Sequence, residues 1–440
     1  MNTFALPLNS KMLKKDFTYG VATAAFQIEG GINERLPCIW DTFCATEGKI
    51  ADQSNGSIAC DHFTHWQEDI ALIDSLGVDA YRLSVSWPRL ITKQGELNPK
   101  GVKFYIDILD ELKRRNIKAF VTLYHWDLPQ HLEDNGGWLN RQTAYLFQHY
   151  ADLVSKAFGD RVYSYATLNE PFCSAYLGYE VGVHAPGKVG KEFGKKAAHH
   201  LLLAHGLAIQ VLNKNCPNAL NGVVLNFTPC YPESNSVEDI AASSYADDYF
   251  NQWYLQPIMQ GKYPEIINQL PKENQPEIHP GDMEIISATL DFLGVNFYTR
   301  LFYKAPDEST TDAFIELEHK EPKTDIGWEI YPKALSELLI SLNNKYTLPP
   351  IYITENGAAM ADKLIDGEVN DLNRIDYYQK HLSEVDVAIS HGVNIQGYFA
   401  WSLMDNFEWA EGYLKRFGIV YVDYESQEEM KKDMRGMVLR

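Results

Sequence analysis

Eight short runs of apolar, β-branched and aromatic residues recur along this chain, and most are followed by a stretch of helical periodicity. The runs are YGVATAAFQ (19–27), AYRLSVSW (80–87), KAFVTLYHW (118–126), VYSYATLNE (162–170), GVVLNFTP (222–229), FLGVNFYT (292–299), IYITENG (351–357) and GYFAWSL (397–403). Near-continuous apolar runs of this length suit parallel strands buried on both faces. Between them, residues 62–76 set Trp66, Ile70 and Ile73 on one helical face, and residues 102–115 do the same with Phe104, Ile108 and Leu112. Segments 141–158, 196–213, 237–259, 332–344 and 372–391 read in the same way. Strand and helix alternating eight times predict an α/β chain folded as a closed (β/α)₈ TIM barrel. A doubly wound open sheet would use the same elements, but no strand is followed by its glycine-rich dinucleotide fingerprint.

A barrel of this kind can take up all 440 residues as one unit. The expected organisation is a flexible N-terminal segment over 1–15 and a single barrel domain over 16–440. The long connections 28–79, 172–195 and 300–348 follow strands one, four and six, on the face where barrels carry their sites. They are expected to wall a pocket rather than to join domains. Neither a fixed-period repeat nor a low-complexity linker interrupts the pattern.

The charge balance narrows the partners. With 39 basic against 59 acidic residues the formal net charge is −20, a field that repels nucleic acid and anionic membranes and favours a neutral small substrate. Six cysteines (Cys38, Cys44, Cys60, Cys173, Cys216 and Cys230) show neither a disulfide framework nor a zinc pattern. Cys173 reads as a small buried thiol. The first residues lack the basic start and apolar core of a leader, and no apolar stretch approaches about 18 residues. The expectation is therefore a cytoplasmic protein with no membrane span, no cofactor and no metal; monomer and homo-oligomer both stay open.

The ends of the runs are too polar for core alone. Run one ends near Gln27, run two carries Arg82, run three ends in His125 and Trp126, and run four in Asn169 and Glu170. Run six ends in Asn296 and Tyr298, run seven in Glu355 and Asn356, and run eight in Trp401. Amides and carboxylates bind hydroxyls, indole faces pack on the C–H face of a sugar, and two carboxyls can cleave a glycosidic bond. Glu170 and Glu355 are distant in sequence yet both end strands on one rim. Two carboxyls about 5–5.5 Å apart let one attack the anomeric carbon while the other protonates the leaving oxygen. Each glutamate alone could instead cap a helix N-terminus; both in matching strand-end contexts favour chemistry.

TLNEP (167–171) resembles the acid/base motif of glycoside hydrolase family one, the β-glucosidase family, and ITENG (353–357) resembles its nucleophile motif. ATAAFQIEG (22–30), YRLSVSWPR (81–89), TLYHWDLP (122–129), HAPG (184–187), GVNFYT (294–299) and WSLMDNFEWAEGYLKRFGIVYVD (401–423) are similar to family segments, in unbroken order from about residue 16 to 423. The resemblance implies Glu170 as general acid/base and Glu355 as nucleophile flanked by Arg82 and Tyr298. It implies Asn169 on the sugar 2-hydroxyl, and Gln27, His125, Trp126, Asn296, Glu408 and Trp409 as further substrate contacts, with Trp401 as stacking platform. Relatives acting on 6-phosphorylated sugars replace the acid at Glu408 with a small hydroxyl residue, and thioglucosidase relatives replace the acid/base Glu with Gln. Neither change is present, so the resemblance implies O-glycoside hydrolysis of an unphosphorylated β-glucoside. After Asp423 the chain departs from the family pattern, which continues into a final aromatic-rich helix.

A non-catalytic sugar-binding barrel and a metal-dependent barrel hydrolase are the competing readings. The first is marked by a missing carboxylate, and both are present. The second needs clustered ligands, and no such cluster accompanies His125. Aglycone, linkage and the choice among glucoside, galactoside and fucoside rest on loop shape.

Overall fold

The computed structural model describes residues 6–308, 310, 312–366 and 368–424, and residues 437–439 by their backbone. Eight strands close a parallel barrel: β1 (Thr18–Ala22), β2 (Ala80–Ser84), β3 (Lys118–Tyr124), β4 (Ser164–Asn169), β5 (Leu220–Phe227), β6 (Phe292–Phe297), β7 (Ile351–Asn356) and β8 (Ile395–Trp401). Each pairs with its chain neighbours, and β8 returns to β1. The eight sequence runs thus mark the eight strands to within a few residues. Every residue of β2, β4, β6 and β7 is buried, as strands covered on both faces must be.

The helices form for local reasons that the sequence carries. In Pro99–Arg114, Asn98 accepts from the Lys100 amide and Pro99 starts the first turn. Phe104, Ile108 and Leu112 are buried against the barrel, and Lys113 and Arg114 lie in the last turn, where cations suit the helix dipole. Helices His62–Ser75, Gln142–Phe158, Lys191–Asn215, Lys333–Lys345 and Leu372–Ser390 match the remaining amphipathic segments. Segment 237–259 is not one regular helix. Val237–Asp247 and Trp253–Gln260 are joined by a π-helical stretch, Asp248–Gln252. Asn251 explains the extra residue: its side chain donates to the Thr228 carbonyl (2.9 Å) and accepts from the Thr228 amide (3.2 Å), tying this turn to the end of β5. A second π-helix, Cys173–Glu180, follows β4. π-turns inside helices often stand at functional sites, and both of these face the barrel mouth.

The barrel floor is filled by rings seated on glycines. Phe120, Phe292, Tyr352 and Phe399 form a buried cluster with Ala22, Ala80, Ala166 and Val224. Phe120 meets Phe399 edge-on at 4.8 Å and Tyr352 at 5.3 Å. A Cβ at Gly20 would lie 2.4 Å from the Phe399 ring, and one at Gly222 would lie 2.6 Å from that of Phe292. Those strands need glycine because ring atoms occupy the space.

Of the segment expected to be loosely held, residues 1–5 lie outside those described. Further on, Met12 is buried and Ser10 donates to Asp386 on helix Leu372–Ser390. Residues 425–436 and 440 of the divergent tail also lie outside the described set; residues 437–439 form a strand antiparallel to Val420–Val422.

Candidate active site

The strand ends at the mouth are irregular where the two glutamates leave the sheet. The register of β4 against β5 shifts between Ala166 and Asn169, and that of β7 against β6 shifts between Ile353 and Glu355. Such bulges re-aim side chains at barrel rims. Glu170 stands one residue beyond β4 with φ 45°, a left-handed conformation costing a non-glycine residue about 1–3 kcal/mol. Its amide is held by the Val224 carbonyl at 2.9 Å.

One guanidinium organises the centre. Arg82, on β2, donates through Nη1 to Glu355 Oε1 (2.5 Å) and through Nη2 to Asn169 Oδ1 (2.6 Å). The Tyr298 hydroxyl donates to Glu355 Oε2 (2.5 Å). Burial and then the Glu355 charge push the Tyr298 phenol well up, so it keeps its proton. Asn296 Nδ2 donates to Glu170 Oε1 (2.6 Å) and to Asn169 Oδ1 (3.1 Å), while its Oδ1 accepts from Thr354 (2.7 Å). Hydrogen bonds therefore run unbroken from Glu355 through Arg82, Asn169 and Asn296 to Glu170.

The two carboxyls sit in opposite electrostatic settings. Glu355 has a cation and a phenol aimed at its oxygens. Glu170 has neutral donors, Asn296 and Cys173, and burial, followed by the charge of Glu355, pushes it up to about 8. A third carboxyl, Glu408, is pushed up to about 8 by burial and then by Glu355. His125 is held well below its ordinary value by burial and by Arg82, and is neutral. Such an arrangement pairs a carboxyl that keeps its proton near neutrality with a carboxylate held beside it.

These groups open into a cavity of about 570 Å³, within the range of small-molecule sites. His125, Trp126, Glu170, Asn296, Tyr298, Glu355, Trp401, Glu408 and Trp409, all named from the sequence as candidates, line it. Arg82, Asn169 and Gln27 stand behind the lining. Gln27 corrects an expectation: it is not at a strand end but on a short helix, Ala25–Ile28, after β1. The chain leaves the sheet early because Ser84 Oγ captures the Ala25 amide at 2.7 Å. Gln27 Nε2 donates to Asn406, the Phe407 carbonyl and Glu408, which steadies the loop after β8. Buried Gln27 Oε1 and His125 Nδ1 have no hydrogen-bond partner among the described residues, a costly condition for polar atoms that a hydroxyl-rich ligand relieves. Asn356, beside Glu355, faces away and donates to the Phe297 carbonyl at 2.7 Å.

Trp126 and Trp409 meet at 4.5 Å, and His125 stacks between Trp401 and Trp409, at 5.9 Å from each. Trp126 and Trp409 share the left-handed backbone of Glu170, with φ of 77° and 48°. Loops 172–195 and 300–348 supply the outer walls through Phe172, Tyr176, Val183, His184, Glu316 and Trp328. No lining residue comes from 28–79. That loop buttresses instead, its Trp40 packed behind Trp409 at 4.5 Å. Sequence reasoning missed Trp328, Phe417 and Tyr176 on the walls, whose only signal is aromatic residues in long connections. It also missed Cys173, whose Sγ lies 3.2 Å from Glu170 Oε2. Among the described residues no group of three or more His, Cys, Asp and Glu is arranged to hold a metal ion, and no helix is long and apolar enough to cross a membrane.

A closed barrel with paired glutamates, buried amides and an indole wall at its mouth defines the class of a glycoside hydrolase. The family model described as glycosyl hydrolase family 1 matches residues 9–437. A β-glucosidase of Agrobacterium sp. is 44% identical over 420 residues, covering 94% of this chain and 91% of that protein. β-Glucosidase A of Thermotoga maritima is 44% identical over 432 residues, 97% and 96% of the two chains. A Thermotoga maritima family 1 glycoside hydrolase, solved with a cyclophellitol analogue as transition-state mimic, superposes with TM-score 0.91 at 43% identity, covering 96% of this chain and 94% of that one. The chain belongs to glycosyl hydrolase family 1.

Proposed function

We propose that this protein is a retaining β-glucosidase, releasing terminal non-reducing β-D-glucosyl residues from oligosaccharides or aryl and alkyl glucosides by double displacement. One observation carries the reading. Two carboxyls share a cavity, one braced by Arg82 and Tyr298, the other kept protonated near neutral pH by burial and its neighbour's charge. In the first step a Glu355 oxygen attacks C1, the C1–O bond breaks, and the Glu170 proton passes to the leaving oxygen. In the second, water attacks C1, the C1–Glu355 bond breaks with its electron pair returning to Glu355, and Glu170 takes the proton from water. Asn169 serves the 2-hydroxyl from a position fixed by Arg82 and Asn296. Gln27, His125, Trp126, Glu408 and Trp409 take the other hydroxyls of the glucosyl unit, and Trp401 packs on its C–H face. Glu408 argues against a 6-phosphate, since it offers the dianion no cation and the Glu355 charge in the same cavity repels it.

The two relatives at 44% identity are called β-glucosidases, and the glycone preference is drawn from them. Two further parts of the reading are a single catalytic domain over 16–440 and a cytoplasmic location. The latter is supported by Cys38, Cys44, Cys173, Cys216 and Cys230 being thiols rather than disulfides. A panel of nitrophenyl β-glucoside, β-galactoside, β-fucoside and 6-phospho-β-glucoside, followed by ¹H NMR, tests it. The β-anomer of glucose is expected first. Release of the α-anomer first, or faster turnover of the phosphorylated substrate, refutes the assignment.

A further inference from the structure

On the reading above, Glu170 must be an acid in one half-reaction and a base in the next, and its two oxygens are held by partners of different kinds. Oε1 accepts from the amide nitrogen of Asn296 at 2.6 Å. An amide N–H only donates, so Oε1 remains an acceptor in both states and the exchangeable proton belongs on Oε2. The partner of Oε2 is Cys173 Sγ, at 3.2 Å. Backbone geometry sets this contact: the Cys173 amide donates to the Glu170 carbonyl at 2.9 Å, which turns the chain into the π-helix Cys173–Glu180 and stacks the thiol beside the carboxyl. Cys173 is 8% exposed and lines the cavity. Burial and then the Glu170 charge push its thiol well up, so it stays an S–H group. A thiol can donate weakly to a carboxylate and accept weakly from a carboxylic acid.

We propose that Cys173 is a positioning residue for the acid/base Glu170, its thiol holding Oε2 toward the cavity and reversing its hydrogen bond as the proton leaves and returns. This inference rests on the roles proposed above for Glu170 and Glu355. The charges facing Glu170 are Glu355 and Arg82; Glu408, itself pushed up to about 8, titrates in the same range, and Tyr298 and His125 are neutral beside them. Cys173 and Asn296 are the donors to its oxygens, and both favour its ionised form.

The test compares the wild type with Cys173→Ala and Cys173→Ser on cellobiose, whose leaving oxygen needs a proton, and on 2,4-dinitrophenyl β-glucoside, whose leaving oxygen does not. For Cys173→Ala, kcat/KM on cellobiose is expected to fall about threefold to tenfold, the worth of one modest hydrogen bond, with a smaller loss on the dinitrophenyl substrate. The alkaline limb of its pH profile moves upward, because a donor to the carboxylate is gone. Cys173→Ser restores most of the cellobiose activity and moves the limb below that of the wild type, since a hydroxyl donates more strongly. Equal losses on both substrates, with both limbs at the wild-type position, overturn the proposal and leave Cys173 a packing residue. If Cys173→Ala does not fold, the limb of Cys173→Ser decides alone: a downward shift supports the proposal and an unmoved limb overturns it. A wild type inactive on both glucosides refutes the proposed function itself, which is a separate failure.

Discussion

The floor and the mouth of the barrel are made from the same eight strands and solve different problems. At the floor, Phe120, Phe292, Tyr352 and Phe399 interlock over glycines, and Val223, Leu293, Ile353 and Ile395 are buried around the strands. Nothing there demands more than size and shape. At the mouth, a few residues further along, the strands bulge and three side chains stand on left-handed backbone. Glu170 and Glu355 are buried in the wall of one cavity with Glu408 half-buried beside them, and the buried Arg82 guanidinium stands behind. The floor supplies the apolar burial that stabilises the fold. The mouth costs stability, since buried ionisable groups and strained backbone oppose folding, and it concentrates unlike proton states where a sugar would sit. Stability and chemistry are therefore separated along the strand axis, at the two ends of one sheet.

That contrast can be broken from either end. The largest effect belongs to the mouth: Glu170→Ala should lower kcat/KM for cellobiose by about 10²–10⁴-fold, the usual worth of a general acid, and abolish the alkaline limb near pH 8. Rates on cellobiose and on an activated dinitrophenyl glucoside check this, the second losing less; equal loss on both would deny Glu170 the acid role. The floor comes next. Phe399→Ala should destabilise the fold by about 3–5 kcal/mol, as ring deletions in packed cores do, without moving the alkaline limb. Urea unfolding together with a pH profile reads both quantities, and a displaced limb would show that floor and mouth are not separate.

The smallest effect is a slope. Glu170 and Glu408 have folded pKa values near 8, raised above an unfolded value of about 4.3. The stability these two groups contribute is fully present below that unfolded value and is lost as pH rises through about 8. Calorimetric Tm between about pH 5 and pH 8 should therefore fall less steeply in Glu408→Gln than in the wild type. An unchanged slope would mean that Glu408 ionises freely in the folded protein.

The strands were legible because the apolar runs follow a rule with few alternatives: strands buried on both faces leave little room for polar residues. Glu170, Glu355 and Asn296 were legible as polar breaks at the ends of such runs. What stayed hidden depends on single side-chain contacts. The run at 19–27 reads as one strand, but Ser84 captures Ala25 and turns Gln27 out of the sheet. The segment 237–259 looks like one regular helix until Asn251 binds Thr228. Cys173 is a small buried thiol by composition, and only the turn after Glu170 gives it a partner. Loop 28–79 carries no mark that distinguishes a buttress from a wall, because Trp40 would serve in either.

The central claim is that Glu355 forms the covalent bond while Glu170 and Glu408, in the same cavity, do not. A fluorine at C2 destabilises the electron-poor transition state of both steps, and a dinitrophenyl leaving group rescues only the first. Incubation with 2,4-dinitrophenyl 2-deoxy-2-fluoro-β-D-glucoside, proteolysis and peptide mass spectrometry should therefore find one fluoroglucosyl group per chain, on Glu355. A label on Glu170 or Glu408, or an enzyme that turns over while remaining unlabelled, would contradict the account.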